Sequence, residues 1–127
     1  MRFWPIIAGF AALAAAPGAL AHHSVAGVFD TSQTLTWKGT IAKVDWINPH
    51  TYIHLDVAND DGTVTTWALE SIPPAMMRRA GITRQMIEGD VGEEVTIEGL
   101  PARNADNLGY ILTITYSDGH FYQLSTN

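Results

Sequence analysis

The stretch Gly39 to Val57, GTIAKVDWINPHTYIHLDV, constrains the fold more than any other part of this chain. Alternating apolar residues flank Asn48-Pro49, and such alternation is typical of β-strands that bury one face. Because proline fixes its own φ and pushes the preceding residue into extended backbone, this dipeptide predicts a tight corner. Histidines follow the corner at His50 and His54. The stretch therefore predicts two strands joined by a corner that carries imidazole groups.

The same alternation predicts strands on both sides of this stretch. The first strand is expected at about residues 35–46, where the apolar positions change parity between Ile41 and Val44, so we expect a β-bulge in this strand, with a sharp bend that Gly39 would ease. Further strands are predicted at about residues 51–57, 63–70, 93–98 and 109–116, followed by a short edge strand at 120–124. In the fifth strand, one face is predicted to hold four alternating residues: Tyr110, Leu112, Ile114 and Tyr116.

One or two short helices are predicted between the third and fourth strands. Ser71 is a candidate N-cap for a helix with Pro73 and Pro74 in its first turn, ended by Gly81. Thr83 is the candidate cap of a further helical turn. The order β-β-β-α-β-β predicts an all-β fold, a small five-stranded OB-like barrel with an added C-terminal edge strand. An open β-sandwich is the alternative.

The N-terminal residues predict export. Residues 1–21 combine a short positive start, an apolar run and the small-x-small site Ala19-Leu20-Ala21, which is typical of a cleaved secretory signal. We therefore expect a periplasmic or secreted protein without a stable membrane span after processing. The alternative is a retained N-terminal anchor. Residues 22–34 are predicted to form an extended arm that Val25, Val28 and Phe29 pin to the barrel of residues 35–127.

Composition excludes several functions. The chain has no cysteine, so disulfides and thiolate metal sites are impossible. Its net charge of −6 argues against nucleic acid, which requires clustered Lys and Arg, and favours a cation or a neutral ligand. No catalytic motif is present, and Asp45, Asp56, Glu70 and Asp90 are scattered along the chain. We therefore expect a binding protein rather than an enzyme.

Cleavage after Ala21 would make His22 the first residue, and this predicts a copper site. The α-amine and Nδ1 of one histidine can chelate a single ion, and such nitrogen ligands suit Cu(II). His50 is the preferred third ligand because the Pro49 corner places it at a barrel end, and His23 is an auxiliary ligand. The alternative for His22 and His23 is a disordered dipeptide without a ligand. For His50 the alternative is a structural hydrogen bond that holds the corner.

The other soft or nitrogen donors are weaker candidates. His54 lies four residues after His50, roughly 13 Å along a strand, so the two are not expected to share one ion. We expect His54 on the outer strand face and His120 in an exposed turn. Met76 and Met77 point about 100° apart on a helix, so core packing of one of them is expected rather than joint copper binding.

A second class of function is a metal-independent module that binds a glycan, a peptide or an envelope protein through aromatic rings. Trp46 and Tyr52 are the candidate ligand-binding residues of such a face. The competing interpretation is that the aromatic residues fill the core of a small barrel without disulfides. A structural envelope protein without a small ligand is a third possibility.

Several motifs of the chain resemble those of a known family. They are AHHS at residues 21–24, the run Trp46-Ile47-Asn48-Pro49-His50, and, further along, Leu55-Asp56-Val57 and Gly89-Asp90. These residues resemble a family of small exported bacterial proteins, a domain of unknown function, so the resemblance implies export but no activity. The order of elements also resembles the copper-carrier OB domain of periplasmic efflux systems, as an analogy of fold alone.

Overall fold

A computed structural model describes residues 24–126. The predicted signal at residues 1–21, together with His22 and His23, lies outside this part of the chain. The described part holds short helices and β-strands in the order α1 Val25–Val28, β1 Leu35–Trp46, β2 Thr51–Ala58, β3 Val64–Ser71, α2 Pro74–Arg79, α3 Arg84–Gly89, β4 Glu94–Pro101, β5 Leu108–Tyr116 and β6 Phe121–Gln123.

The strands close into a five-stranded barrel with one additional strand. Neighbouring strands follow the order β3-β2-β1-β4-β5-β6, and a parallel pairing of β3 with β5 joins the two ends of the barrel. Strand β6 pairs with the later half of β5 and adds an edge strand. The predicted OB-like barrel with a C-terminal strand is therefore confirmed, and the open β-sandwich is not observed.

The core lies inside the barrel and continues under the helices. Strand residues that face inward include Ile41, Ile53, Leu69 and Ile97, each fully buried. Helices α2 and α3 contribute Met77 and Ile87 to the same cluster. Because a small barrel without disulfides is held together by packing alone, these inward positions carry most of its stability.

The β-bulge predicted in β1 is confirmed where the apolar positions change parity, but Gly39 is not part of it. Pairing with β2 shifts between Ile41 and Lys43. Gly39 instead allows a close approach of backbones, because a Cβ at this position would lie 2.2 Å from the Asp56 carbonyl oxygen. The glycine is required by contact between strands rather than by the bend.

The beginning of α2 also differs from the prediction. Ser71 is the last residue of β3 and is buried, and the N-cap of α2 is Pro73. The first turn contains Pro74, which tolerates this position because the missing N–H would have no partner there. Thr83 caps α3 as predicted, since its side chain accepts a hydrogen bond from the Met86 N–H.

The N-terminal arm packs on the outside of the barrel through a second, smaller cluster. Phe29 is buried against Tyr110 and Leu100, and Val25 and Val28 pack against the same cluster. Contact through these three residues agrees with the sequence analysis, but the arm is not wholly extended because α1 forms one helical turn.

This second cluster shows where the predicted face of β5 was wrong. Tyr110 and Leu112 belong to the arm cluster, whereas Ile114 and Tyr116 belong to the barrel core. The β4–β5 register shifts between Glu98 and Gly99, so the parity of β5 changes within the strand.

Within residues 24–126, no helix is both long enough and apolar enough to span a membrane.

Candidate functional site

The corner before β2 places His50 beside a row of polar residues on the outer face of the barrel. The Asn48–Pro49 peptide bond is cis, and β2 begins immediately after His50. Across the sheet, Tyr52 is the register partner of Asp45 on β1 and of Glu70 on β3. Side chains at register partners share one face of a sheet. The row is therefore directed away from the buried inward positions that flank it in sequence.

His50 is held by a carboxylate that also binds a tyrosine. The Nδ1 atom of His50 lies 2.6 Å from Oε1 of Glu70. The hydroxyl of Tyr52 donates a hydrogen bond to the other oxygen, Oε2 of Glu70, at 3.2 Å. Burial, followed by the nearby Glu70 carboxylate, raises the pKa of the Tyr52 phenol, which keeps this donor protonated. Both oxygens of Glu70 are thus occupied.

His54 forms a separate pair with a residue of the neighbouring strand β1. Its Nε2 atom lies 2.8 Å from Oδ2 of Asp45, and the ammonium group of Lys43 lies 2.6 Å from the other oxygen, Oδ1. Hydrogen bonds from Lys43, and then from His54, lower the pKa of the Asp45 carboxyl. This carboxylate is therefore ionised at neutral pH and accepts from both neighbours.

The two histidines have different partners on the two strands that flank β2. His50 bonds to β3, and His54 bonds to β1. Within residues 24–126, no group of three or more histidine or carboxylate side chains is arranged to hold a metal ion. The predicted ligands His22 and His23 lie outside the described residues, so their relation to His50 stays a prediction.

The structure does not bring Trp46 and Tyr52 together on one face. Trp46 is the register partner of buried Thr51 and packs against the barrel core. Tyr52, the next residue in β2, bonds to Glu70 on the outer face. Trp37 and Trp67 also pack in the core region, with ring centroids 5.0 Å apart. These positions favour the interpretation that the tryptophans serve packing.

The remaining candidates lie elsewhere on the molecule. His120 is exposed, stacks on Tyr116 and bonds through Nδ1 to Asp118 in the same turn. Met77 is fully buried in the core, whereas Met76 is 49 % exposed, as the angle between adjacent helical residues predicts. Met76 lines an open cleft of about 390 Å³ between α2 and the segment after β6, a cleft without histidine.

Sequence reasoning missed the carboxylates that support the histidines. In the sequence, Asp45 and Glu70 look like scattered charges, although in the fold each bonds to one imidazole. The predicted turn did not give the Glu70 pairing: a turn at Asn59–Gly62 would put Tyr52 opposite Leu69. In the structure the Asn59 N–H bonds to the Thr63 carbonyl, and this loop, one residue longer, puts Tyr52 opposite Glu70. The Asp45 pairing depends in the same way on the exact position of the β1 bulge, which changes the register.

Comparison with known proteins gives a family but no activity. No curated protein and no solved structure matches the chain. One family model, described as a family of unknown function (DUF6152), matches residues 11–111 and so covers most of the chain, including the corner and the His50–Glu70 pair. The chain belongs to this family of unknown function.

Proposed function

We propose that the protein is an exported binding protein that holds Cu(II) at its processed N-terminus. The α-amine and Nδ1 of His22 supply two nitrogens, Nε2 of His50 supplies the third, and His23 is an auxiliary ligand. Cu(II) binds amine and imidazole nitrogens more tightly than the other divalent first-row metals do. The net charge of −6 adds a long-range attraction for a cation.

The observation that carries this proposal is the state of the His50 side chain. Its Nδ1 is engaged by Glu70, whereas Nε2 has no hydrogen-bond partner among residues 24–126. The side chain is 42 % exposed, and that of Glu70 is only 14 % exposed. Histidines that bind metals typically pair one ring nitrogen with a carboxylate and offer the other nitrogen to the ion. His50 has this arrangement.

The anchoring of the arm supports a meeting of His22 with His50. Val25 packs in the cluster of Phe29 and Tyr110, and Tyr110 is the register partner of Glu70. His22 precedes Val25 by three residues, a length of chain that spans at most about 11 Å. Neighbouring strands lie about 4.8 Å apart, so the arm is fixed one strand away from the partner of His50.

The proposal is tested with protein that is exported and processed by its own signal. Native mass spectrometry of this protein during titration with Cu(II) should show a chain that begins at His22 and binds one copper ion tightly. A second sample with one alanine added before His22 should lose the tight site, because the amine would no longer belong to the chelating histidine. Equal binding by both samples, or binding by neither, would contradict the proposal.

A pair of matched variants tests the third ligand. His50→Ala should weaken copper binding by about tenfold or more, since one of three nitrogens is lost. His54→Ala removes an imidazole from the same face, but one whose nitrogen is bonded to Asp45 on the opposite side of β2, and should leave the copper affinity unchanged. A larger loss of copper affinity in His54→Ala than in His50→Ala would show that His50 is not the third ligand.

A further inference from the structure

We propose that Glu70 and Tyr52 are positioning residues that fix the tautomer of His50 and thereby select Nε2 as its metal-binding atom. The inference rests on the proposed function for its copper readout, but the tautomer is a property of the metal-free protein. A neutral imidazole carries its proton on either Nδ1 or Nε2, and only the nitrogen without the proton can bind a metal. The partner of each ring therefore decides which atom is available.

The Glu70 carboxylate determines the tautomer of His50. An ionised carboxylate only accepts hydrogen bonds, so an imidazole nitrogen 2.6 Å away must donate an N–H to it. His50 accordingly carries its proton on Nδ1, and the lone pair lies on Nε2. The donated bond also raises the basicity of Nε2, which strengthens it as a ligand.

Tyr52 keeps Glu70 in the role of an acceptor. The phenol O–H donates to Oε2, and Oε1 lies beside Nδ1 of His50, so each oxygen of Glu70 has a partner. The bond to Tyr52 also fixes the orientation of the carboxylate, whose side chain is mostly buried.

His54 provides an internal control because its carboxylate contacts the other ring nitrogen. Asp45 lies 2.8 Å from Nε2 of His54, so His54 carries its proton on Nε2 and has its lone pair on Nδ1. Two histidines four residues apart on one face are therefore expected to have opposite tautomers. A property common to the whole surface would give both rings the same tautomer.

Nuclear magnetic resonance of the imidazole nitrogens measures this directly in metal-free protein. Long-range ¹H–¹⁵N spectra, recorded at a pH where the same spectra show both rings to be neutral, should show Nδ1–H for His50 and Nε2–H for His54. Glu70→Gln should remove the fixed tautomer of His50, since the amide offers a donor as well as an acceptor, while His54 is unchanged. A His50 ring with its proton on Nε2 in the unaltered protein would overturn the proposal.

Copper affinity tests the consequence for the site. Loss of a residue that supports a metal ligand typically lowers affinity 10–100-fold, so Glu70→Gln should weaken Cu(II) binding by about tenfold or more. Tyr52→Phe removes one of the two bonds to Glu70 and should have a smaller effect in the same direction. Asp45→Asn makes the matched change at His54 and should leave the affinity unchanged.

The two possible failures are distinguishable. If unaltered processed protein binds no copper, the proposed function fails, together with the ligand half of this inference, and the spectra alone decide whether Glu70 fixes the tautomer. If the protein binds copper but Glu70→Gln binds it equally well with an unchanged His50 tautomer, the positioning role is wrong and the copper site stands. Electron paramagnetic resonance of bound Cu(II) that shows no change in nitrogen coupling in Glu70→Gln would likewise contradict the positioning role.

Discussion

At the scale of single residues, Gly39 is a position where one added methyl group should be costly. A Cβ there would lie 2.2 Å from the Asp56 carbonyl oxygen and 3.1 Å from Leu55 Cγ, so the two strands would have to separate. We expect Gly39→Ala to lower the free energy of unfolding by at least about 1–3 kcal/mol, the usual cost of overpacking. Urea denaturation measures this difference.

Gly89→Ala is the control for this substitution. Apart from its chain neighbours and the backbone of its own helix, no atom lies within 4 Å of a Cβ at Gly89, which ends α3 without positive φ. Alanine there should therefore leave stability unchanged or raise it by about 0.4–1 kcal/mol, through a less flexible unfolded chain. Similar losses in both variants would show that the close approach at Gly39 is not the cause.

Tyr116 gives the chain a predictable response to alkaline pH. Burial first, and then the hydrogen bond to Asp90 at 2.6 Å, raises the pKa of its phenol well above the usual value of 10.0. Because the folded state keeps the proton longer than the unfolded state, this contribution to stability is complete below about pH 10 and declines as the pH rises further. The free energy of unfolding should therefore fall between about pH 10 and pH 11.

The variant Tyr116→Phe separates this effect from general alkaline denaturation. Without the phenol, the decline above about pH 10 should be shallower, although the raised pKa of Tyr52 leaves some slope. Urea denaturation of both proteins across this range measures the two slopes. Identical slopes would mean that Tyr116 titrates equally in the folded and unfolded states.

At the scale of elements, the N-terminal arm is an added layer, and Phe29 is the most deeply buried of its described side chains. Phe29 is 2 % exposed and lies 5.4 Å from Tyr110, ring centre to ring centre, and the Asp30 N–H donates to the Pro101 carbonyl. We expect Phe29→Ala to destabilise the protein by about 3 kcal/mol, since burial of the ring and its packing are both lost.

Phe121→Ala is the matched change on a surface element. Phe121 lies on the edge strand β6 and is 61 % exposed, so its loss should change stability by less than about 0.5 kcal/mol. Urea denaturation compares the two variants, and cleavage by a protease within the arm gives an independent readout of detachment. Equal stability of the two variants would mean that the arm does not contribute to the folded state.

The β2–β3 hairpin shows how far sequence reasoning reaches at this scale. Its turn is readable at about Asn59 to Gly62, but the loop closes between Asn59 and Thr63, and this puts Tyr52 opposite Glu70 rather than Leu69. On the other side of β2, pairing with β1 shifts between Ile41 and Lys43, and this shift places Asp45 opposite Tyr52. Local rules therefore predict that the hairpin forms, whereas the exact register of both pairings depends on how the strands pack together.

At the scale of the whole molecule, closure of the barrel brings the arm to the proposed site. The parallel pairing of β3 with β5 aligns Glu70 with Tyr110. Tyr110 in turn receives Phe29 from the arm. Therefore three parts of the chain that are far apart in sequence meet along one outer face: the arm, the β2–β3 hairpin and β5. Copper titration and imidazole spectra of the Glu70→Gln variant test whether this face supports copper binding.

The sequence by itself determined the order of the strands and helices along the chain, the corner at Asn48-Pro49 and the candidate His50. Local backbone preferences and the alternation of apolar residues carry that information. Only the tertiary structure decided which carboxylates support the imidazoles and which face each aromatic residue occupies. Trp46 points to the core and Tyr52 to Glu70. The physical reason is that register shifts and barrel closure follow from the fit of all strands together, and a shift of one residue reverses the face of every side chain beyond it.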